Sequence, residues 1–354
     1  MMVKALPGLV ASGVAQNRCW DGVAVPMKDT LRRRGTACHF ARRRYARLCD
    51  YRGVTVLPGS KVHEALRAQL AGVRALLLDM DGVLVMRNAL IPGAVEALAT
   101  LDAAAVPYLV ATNTSMVSRA SLSRELGRAG LPVPAERIVS AASAAAAYVR
   151  RHFAGEPLYV LVAPDALAEF QGLRLLSHEE AARPDARAAV VVVGDAGDDF
   201  TPRNVQTAFT LLRGGARFVA MHKNRWWHTP GGVMLDSGAY VAALEYGLER
   251  RALVTGKPSR AFFAQGVRQL GESGSGPLVP LAPAEVAMVG DDLWNDIRGA
   301  QRAGLRGVFV RTGKHGDAEL ARATTERGGR APDAVAASIR EIAEAIAGVR
   351  APSQ

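Results

Sequence analysis

The body of this 354-residue chain has no cysteine; all three, Cys19, Cys38 and Cys49, fall within the first fifty residues. An odd count at wide, irregular spacing excludes a disulfide framework and does not make a CxxC zinc pattern. A cysteine-free body suits a reducing compartment, so a cytoplasmic location is expected. Long apolar runs are also missing. None reaches the roughly 18 residues that a membrane-spanning helix needs, so no membrane partner is expected. Aromatic residues make up only 6% of the chain. Packing should therefore depend on aliphatic side chains and Ala-rich helices.

Charge is present but unevenly placed. The net charge is +11, yet residues 1–70 hold 13 Lys and Arg against 4 Asp and Glu, so almost all of the excess sits there. The rest is near neutral, which argues against a nucleic-acid groove along it. Residues 1–72 read as a separate basic extension with two arginine triplets, Arg32–Arg34 and Arg42–Arg44. The expected form is a disordered tail, or an upstream start with Met27 as the internal alternative. A targeting peptide and a nucleic-acid or membrane-surface arm compete with it. No cleavable signal peptide is expected, because Pro7 and Gly8 break the first apolar run.

From about residue 73, β and α patterns alternate. Strands are expected at 75–79, 106–112, 137–140, 158–162, 188–193, 218–221, 253–255, 286–290 and 307–310. Helices are expected at 92–105, 118–130, 141–153, 202–213 and 237–250. Such alternation predicts an α/β fold with a doubly wound parallel sheet. The 253–255 and 286–290 strands are expected to resume the first sheet after a second α/β unit. The implied domains are a core, 73–154 plus 255–348, and an inserted α/β unit, 155–254.

Four short segments carry the chemistry, each where a strand should end, and ligands bind at that edge of doubly wound sheets. Asp79-Met80-Asp81-Gly82 follows Leu76–Leu78. A turn explains Asp81-Gly82 alone, but a carboxylate at the end of a buried strand needs a partner or a cation. Thr112-Asn113-Thr114-Ser115 offers hydroxyls and backbone N–H groups to phosphoryl oxygens, although such residues also cap helices. Lys257, between Gly256 and Pro258, is a fixed charge that could offset developing negative charge, or plain surface charge. Gly290-Asp291-Asp292-Leu293-Trp294-Asn295-Asp296 is an acid-rich loop of the kind that holds hard cations. Asp291 is its candidate ligand, and Asp296 could orient the loop or a metal-bound water.

Read together and in this order, DMDGVL, TNTS, GKPS and GDDLWND resemble the four motifs of the haloacid dehalogenase superfamily, in the subgroup with a large cap between the second and third. Val233–Ser259 and Ala300–Lys314 are similar to the phospholysine phosphohistidine inorganic pyrophosphate phosphatase family. The resemblance spans about residues 73–345. It implies a Rossmann-like core with an inserted α/β cap, and a Mg2+-dependent phosphatase of small phosphorylated substrates. Asp79 would be the nucleophile and Asp81 the general acid and base. Mg2+ would be held by Asp79, the backbone carbonyl of Asp81, and Asp291. Thr112, with the backbone of Asn113 and Thr114, would cradle the phosphoryl oxygens beside Asp79, Met80, Asp81 and Lys257. Dehalogenases of the superfamily lack an Asp two residues after the nucleophile, so Asp81 favours phosphate chemistry. The rival readings are another hydrolase or phosphomutase of this type, and a non-catalytic binding module on the same scaffold.

Within the cap, the loop His222–His228 is the candidate for substrate contact, with Lys223 and Arg225 suited to an anion. The competing reading packs Trp226 and Trp227 on the cap edge and leaves both histidines solvated. Asp195, Asp198 and Asp199 are expected to form a loop entering a helix at Thr201-Pro202 rather than a cation site. The sequence leaves the oligomeric state open, with a homodimer through the cap as one candidate.

Overall fold

Runs of four or five consecutive apolar residues can be strands only where both sheet faces are covered. The computed structural model describes residues 59–87, 89–229, 232–272, 280–325 and 330–350. The cysteines, the arginine triplets and Met27 lie outside the described residues. The strands are Ala75–Asp79 (β1), Val85–Met86 (β2), Ala89–Leu90 (β3), Tyr108–Thr112 (β4), Ile138–Ser140 (β5), Leu158–Leu161 (β6), Val190–Val193 (β7), Arg217–Ala220 (β8), Trp226–Thr229 (β9), Gly232–Leu235 (β10), Leu253–Val254 (β11), Val286–Gly290 (β12), Arg306–Val310 (β13) and Ala334–Ala336 (β14).

Six strands form a parallel sheet in the order β14-β13-β12-β1-β4-β5. The chain leaves β1 toward β4 on one side and returns to β12 on the other. The sheet therefore reverses direction at β1, and a crevice opens at the strand ends there. Successive side chains point to opposite faces. Leu76, Leu78, Val110, Ala287 and Val289 pack under the helices Ala94–Ala103, Arg119–Arg128 and Ile339–Arg350. Ala75, Leu77, Leu109, Val286 and Met288 pack on the other side against Phe262, Phe263 and Leu270 of the helix Arg260–Glu272.

A second parallel sheet, β11-β8-β7-β6, forms the cap. Its outer face is covered by the helices Pro202–Arg213 and Ser237–Leu248. Its inner face rests on Ala141, Ala142, Ala145, Ala146 and Val149 of the helix Ala141–His152. Ala144 of the same helix packs into the core beside Phe262 and Phe263. One Ala-rich helix thus lies between two sheets, and its small side chains allow that close approach.

Three expectations need correction. Leu253–Val254 does not rejoin the first sheet; it pairs with Val219–Ala220 at the edge of the cap sheet. A two-residue apolar strand carries no information about which of two parallel sheets it will extend. The segment His222–His228 is not loop throughout, because Trp226–His228 belong to β9, which pairs antiparallel with β10. The basic extension does not run unstructured to residue 72. Gly59–Gln69 is a helix that buries Leu66 beneath Ile339–Arg350, with Leu70 buried just beyond its end. His63 Nε2 lies 3.1 Å from Glu344 there. The edge strand β14 and the small β2–β3 hairpin were absent from the sequence-level reading. Among the described residues, no helix is long and apolar enough to cross a membrane.

The shared helix makes a test of packing. Leu in place of Ala145 adds volume where a sheet already touches the helix, and should cost about 1–3 kcal/mol. Chemical denaturation of A145L should show that loss, with an unchanged midpoint contradicting the packing described.

Candidate active site

Asp79 ends β1 at the switch point and is buried, which is costly for a carboxylate without a cation. Lys257 supplies it. Lys257 Nζ donates to Asp79 Oδ1 at 2.7 Å and to the Ala111 carbonyl at 3.2 Å. It also lies 2.8 Å from Asp296 Oδ1. That contact is close but badly aligned for a hydrogen bond, so only charge satisfies this buried oxygen. Burial works against the lysine's charge, but Asp296 and Asp79 outweigh it and hold its pKa above the ordinary range.

Lys257 is itself held in place by an amide clamp. Its backbone N–H donates to Asn113 Oδ1 at 2.8 Å, and Asn113 Nδ2 donates to its carbonyl at 3.1 Å. Two segments 144 residues apart are thereby fixed by one side chain. Next to it, Thr112 Oγ1 lies 2.8 Å from Thr114 Oγ1 and accepts from Thr114 N at 3.1 Å. The tight turn brings both hydroxyls to the end of β4, beside Asp79. The Met80 N–H donates to Asp79 Oδ1 at 2.8 Å.

Asp291 follows β12 and enters the crevice from the neighbouring strand. Lys314 N donates to its Oδ2 at 2.5 Å. Gly82 and Gly313 press on it so closely that a methyl group at either would collide with its carboxylate, and Gly82 also has a positive φ of 80°. Asp292 is bonded to its own loop and to Lys314: it caps the following turn by accepting from Trp294 N and Asn295 N, and it accepts from Lys314 Nζ at 2.9 Å. Burial opposes its ionisation, but Lys314 and these donors bring its pKa down to about 2.

Asp79, Asp291 and Asp296 each offer an oxygen within 4.8 Å of the others. Among the described residues, Lys257 is the one cation bonded among these three buried carboxylates. Burial first, and then the neighbouring Asp291, push Asp79 up to about 6 against the pull of Lys257. Burial and Asp296 push Asp291 up to about 7. Asp296 rises well above the carboxylate range, through burial and Asp79. The excess negative charge, the all-oxygen donors and the poorly satisfied Asp296 Oδ1 fit a hard divalent cation. Asp81 differs from these three in keeping accessible surface. The surrounding protein raises its pKa and Lys257 lowers it in part. Water still reaches the carboxyl and screens both effects.

The structure therefore brings Asp79, Asp291, Lys257 and Thr112 into one crevice, with Met80, Asp81, Asn113 and Thr114 around it. Sequence reasoning missed the Asn113 clamp and the loop after β13. Thr312 Oγ1 donates to the Gly82 carbonyl there, and His315 Nδ1 accepts from Leu293 N at 3.0 Å. Glycine at 313, followed by a lysine, was the only available signal. The cap loop also departs from expectation. Lys223 is not free for an anion; its Nζ is 2.6 Å from the buried Glu245, which Arg251 also approaches. His222 is buried rather than solvated, with Nε2 2.8 Å from Ser115 Oγ. Trp226 and Trp227 are exposed on the hairpin. The Asp195–Asp199 segment enters its helix as expected, with Thr201 Oγ1 accepting from Asn204 N at 3.1 Å and Pro202 in the first turn.

Comparison with known proteins agrees with this geometry. A haloacid dehalogenase-like hydrolase family profile matches residues 76–175, and a related HAD-hydrolase-like profile matches 254–342. The Bos taurus haloacid dehalogenase-like hydrolase domain-containing protein 2 is 35% identical over 243 residues, 69% of this chain and 86% of that one. The Homo sapiens phospholysine phosphohistidine inorganic pyrophosphate phosphatase is 34% identical over 252 residues, 70% and 86% of the two chains. Among solved structures, the p-nitrophenyl phosphatase from Archaeoglobus fulgidus superposes with a TM-score of 0.68 at 25% identity, covering 77% of this chain and 99% of that one. A Mycobacterium tuberculosis glycerol phosphate phosphatase, solved with magnesium, shares the fold at a TM-score of 0.66 and 24% identity, with 77% of each chain covered. With an Asp79–Lys257 pair at the switch point of a capped parallel sheet, and relatives of this similarity over most of their length, the chain belongs to the haloacid dehalogenase-like hydrolase family.

Proposed function

We propose that this protein is a Mg2+-dependent phosphatase that hydrolyses small phosphorylated substrates through an aspartyl-phosphate on Asp79. The observation that carries this reading is the Asp79–Lys257 pair, set among Asp291 and Asp296 at the switch point. The named phosphatase among the relatives supports the reaction class, and phosphate monoesters, phosphoamides and pyrophosphate are the candidate substrates. Cytoplasmic action and a cap spanning 155–254 over a core of 73–154 and 255–348 complete the reading.

Both hydrogen bonds to Asp79 fall on Oδ1, so Oδ2 keeps its lone pairs for attack on phosphorus. As the new O–P bond forms and the bond to the leaving group breaks, Asp81 gives its proton to the leaving oxygen or nitrogen. Its raised pKa suits that task. Asp81 then takes a proton from water, which attacks phosphorus and releases phosphate and the free Asp79 carboxylate. Lys257 and the Thr112–Thr114 turn bind the phosphoryl oxygens and hold their charge. Mg2+, held by Asp79, Asp291 and the Asp81 carbonyl, would supply the positive charge that lets an anionic nucleophile approach an anionic phosphate.

The cap hairpin supports a homodimer. Its register places Trp226 opposite Leu235 and Trp227 opposite Met234. Trp226, Val233 and Leu235 therefore share one face, Trp227 and Met234 the other, and all five are exposed. An isolated two-stranded hairpin is marginal in water. One with apolar side chains on both faces needs a covering surface, and a second copy of the same hairpin offers one.

Phosphate release from p-nitrophenyl phosphate is expected with Mg2+ and not with EDTA. Asp79→Asn should lower kcat by at least about a thousandfold, and Asp81→Asn by about a hundredfold or more. Retained turnover in Asp79→Asn would remove the nucleophile assignment. Stability gives a second check. Between about pH 4 and 7 the unfolded chain releases protons from Asp79 and Asp291 that the folded, metal-free chain retains, given folded values of about 6 and 7. Folding of the metal-free protein should thus weaken as pH rises through that window. Mg2+ competes with those protons, so it should raise Tm more at pH 8 than at pH 5; an equal effect at both would count against the acidic site. For the assembly, light scattering should find a dimer that Trp227→Glu combined with Leu235→Glu converts to monomer. A dimer unaffected by the pair would place the interface elsewhere.

A further inference from the structure

Thr112–Ser118 links the phosphoryl cradle to a core helix, and the cap grips it at both ends. At the near end, Ser115 Oγ accepts from Asp195 N at 3.0 Å and meets His222 Nε2 at 2.8 Å. Asp195 follows β7 and His222 follows β8, so two cap loops converge on one core hydroxyl. At the far end, cap carboxylates take over the N-terminus of the helix Arg119–Arg128. Asp165 accepts from Ser118 N at 2.7 Å and from Ser121 Oγ at 2.9 Å. Glu169 accepts from Arg119 N at 2.7 Å and Arg119 Nε at 2.9 Å. Carboxylates at a helix N-terminus satisfy open N–H groups and complement its dipole.

His222 is well placed to transmit position. It is 3% exposed, and its Nδ1 lies 3.4 Å from Asn224 N. The Ser115 Oγ–His222 Nε2 hydrogen bond can run in either direction, according to the imidazole tautomer. Ser237 Oγ and Asp236 Oδ1 stand 3.4 Å and 3.7 Å from the same nitrogen, at the start of the helix Ser237–Leu248. The residue before it, Met221, accepts from Gly256 N, next to Lys257. Gly256 has no room for a side chain, being wedged between Met221 and Asn113.

The geometry points to His222 and Ser115 as positioning residues for the phosphatase reaction: through their hydrogen bond the cap fixes the Thr112–Thr114 turn against Asp79. The inference rests on the proposed reaction for its kinetic consequence but not for its structural one. Neither residue touches the reacting atoms. Their loss should leave the Asp79–Lys257–Asp291 cluster assembled while the cradle loosens, and small misplacements at such distances are costly to rate.

The test uses the full chain with Ser115→Ala, His222→Ala, His222→Gln and the double alanine variant. With Mg2+ and p-nitrophenyl phosphate, each single alanine variant is expected to lose about tenfold in kcat with KM changed less than about twofold. His222→Gln, whose amide can donate or accept near Nε2, should recover most of the rate. The double variant should be no slower than either single one, because the two residues act as a unit. Unchanged kcat, or losses that add, would overturn the inference. If the wild type releases phosphate from no substrate, the proposed function fails and hydrogen exchange decides the structural claim. In His222→Ala, amides of 112–118 should exchange at least about tenfold faster while those of β1 and β12 stay protected. Equal exchange at 112–118, or a rise across all three segments, would overturn it.

Discussion

The arrangement depends on one ammonium group. Lys257 is buried between Asp79 and Asp296, and without it those two buried carboxylates would face each other uncompensated. The ends of four strands and the loops after them are arranged around that charge. Asn113 holds the lysine's backbone, the Ala111 carbonyl accepts one of its hydrogen bonds, and Asp291 comes in across Gly82 and Gly313. Yet a single positive charge cannot neutralise three carboxylates. The remaining imbalance shows in the raised pKa values of Asp79 and Asp291 and makes the crevice receptive to a cation. Stability and reactivity are therefore set against each other at the same atoms.

Much of this was legible in the chain. The strands Ala75–Asp79 and Val286–Gly290 announce themselves as apolar runs that end in a carboxylate or just before one, because a parallel strand buried on both faces has no reason to alternate. The helix entry at Thr201-Pro202 follows from hydroxyl capping, and that hydroxyl does accept an N–H three residues on. The four site segments were legible because each combines a strand end with a chemically demanding residue.

What was not legible depends on contacts between distant segments. Nothing near Asn113 says that its amide will clasp Lys257, and nothing near His222 says that it will be buried on Ser115. Lys223 looked like an anion contact because its partner Glu245 lies 22 residues further on, one face of a helix away. Leu253–Val254 was placed in the wrong sheet for the same reason. Short strands are assigned by the edge they meet, and that edge is built by other parts of the chain. Local pattern locates elements and charges; it does not pair them.

The helix Ala141–His152 belongs to the hydrophobic interiors of both sheets. A cap mounted on such a wall cannot swing like a door, since rotation would expose alanines to water on one side or the other. Nor can it be exchanged for a different cap by simple recombination, because the incoming sheet would have to match this row of alanine surfaces. What remains open to variation is the part of the cap that touches neither interior, above all the hairpin of β9 and β10, whose Trp226, Trp227, Val233, Met234 and Leu235 side chains lie on the surface.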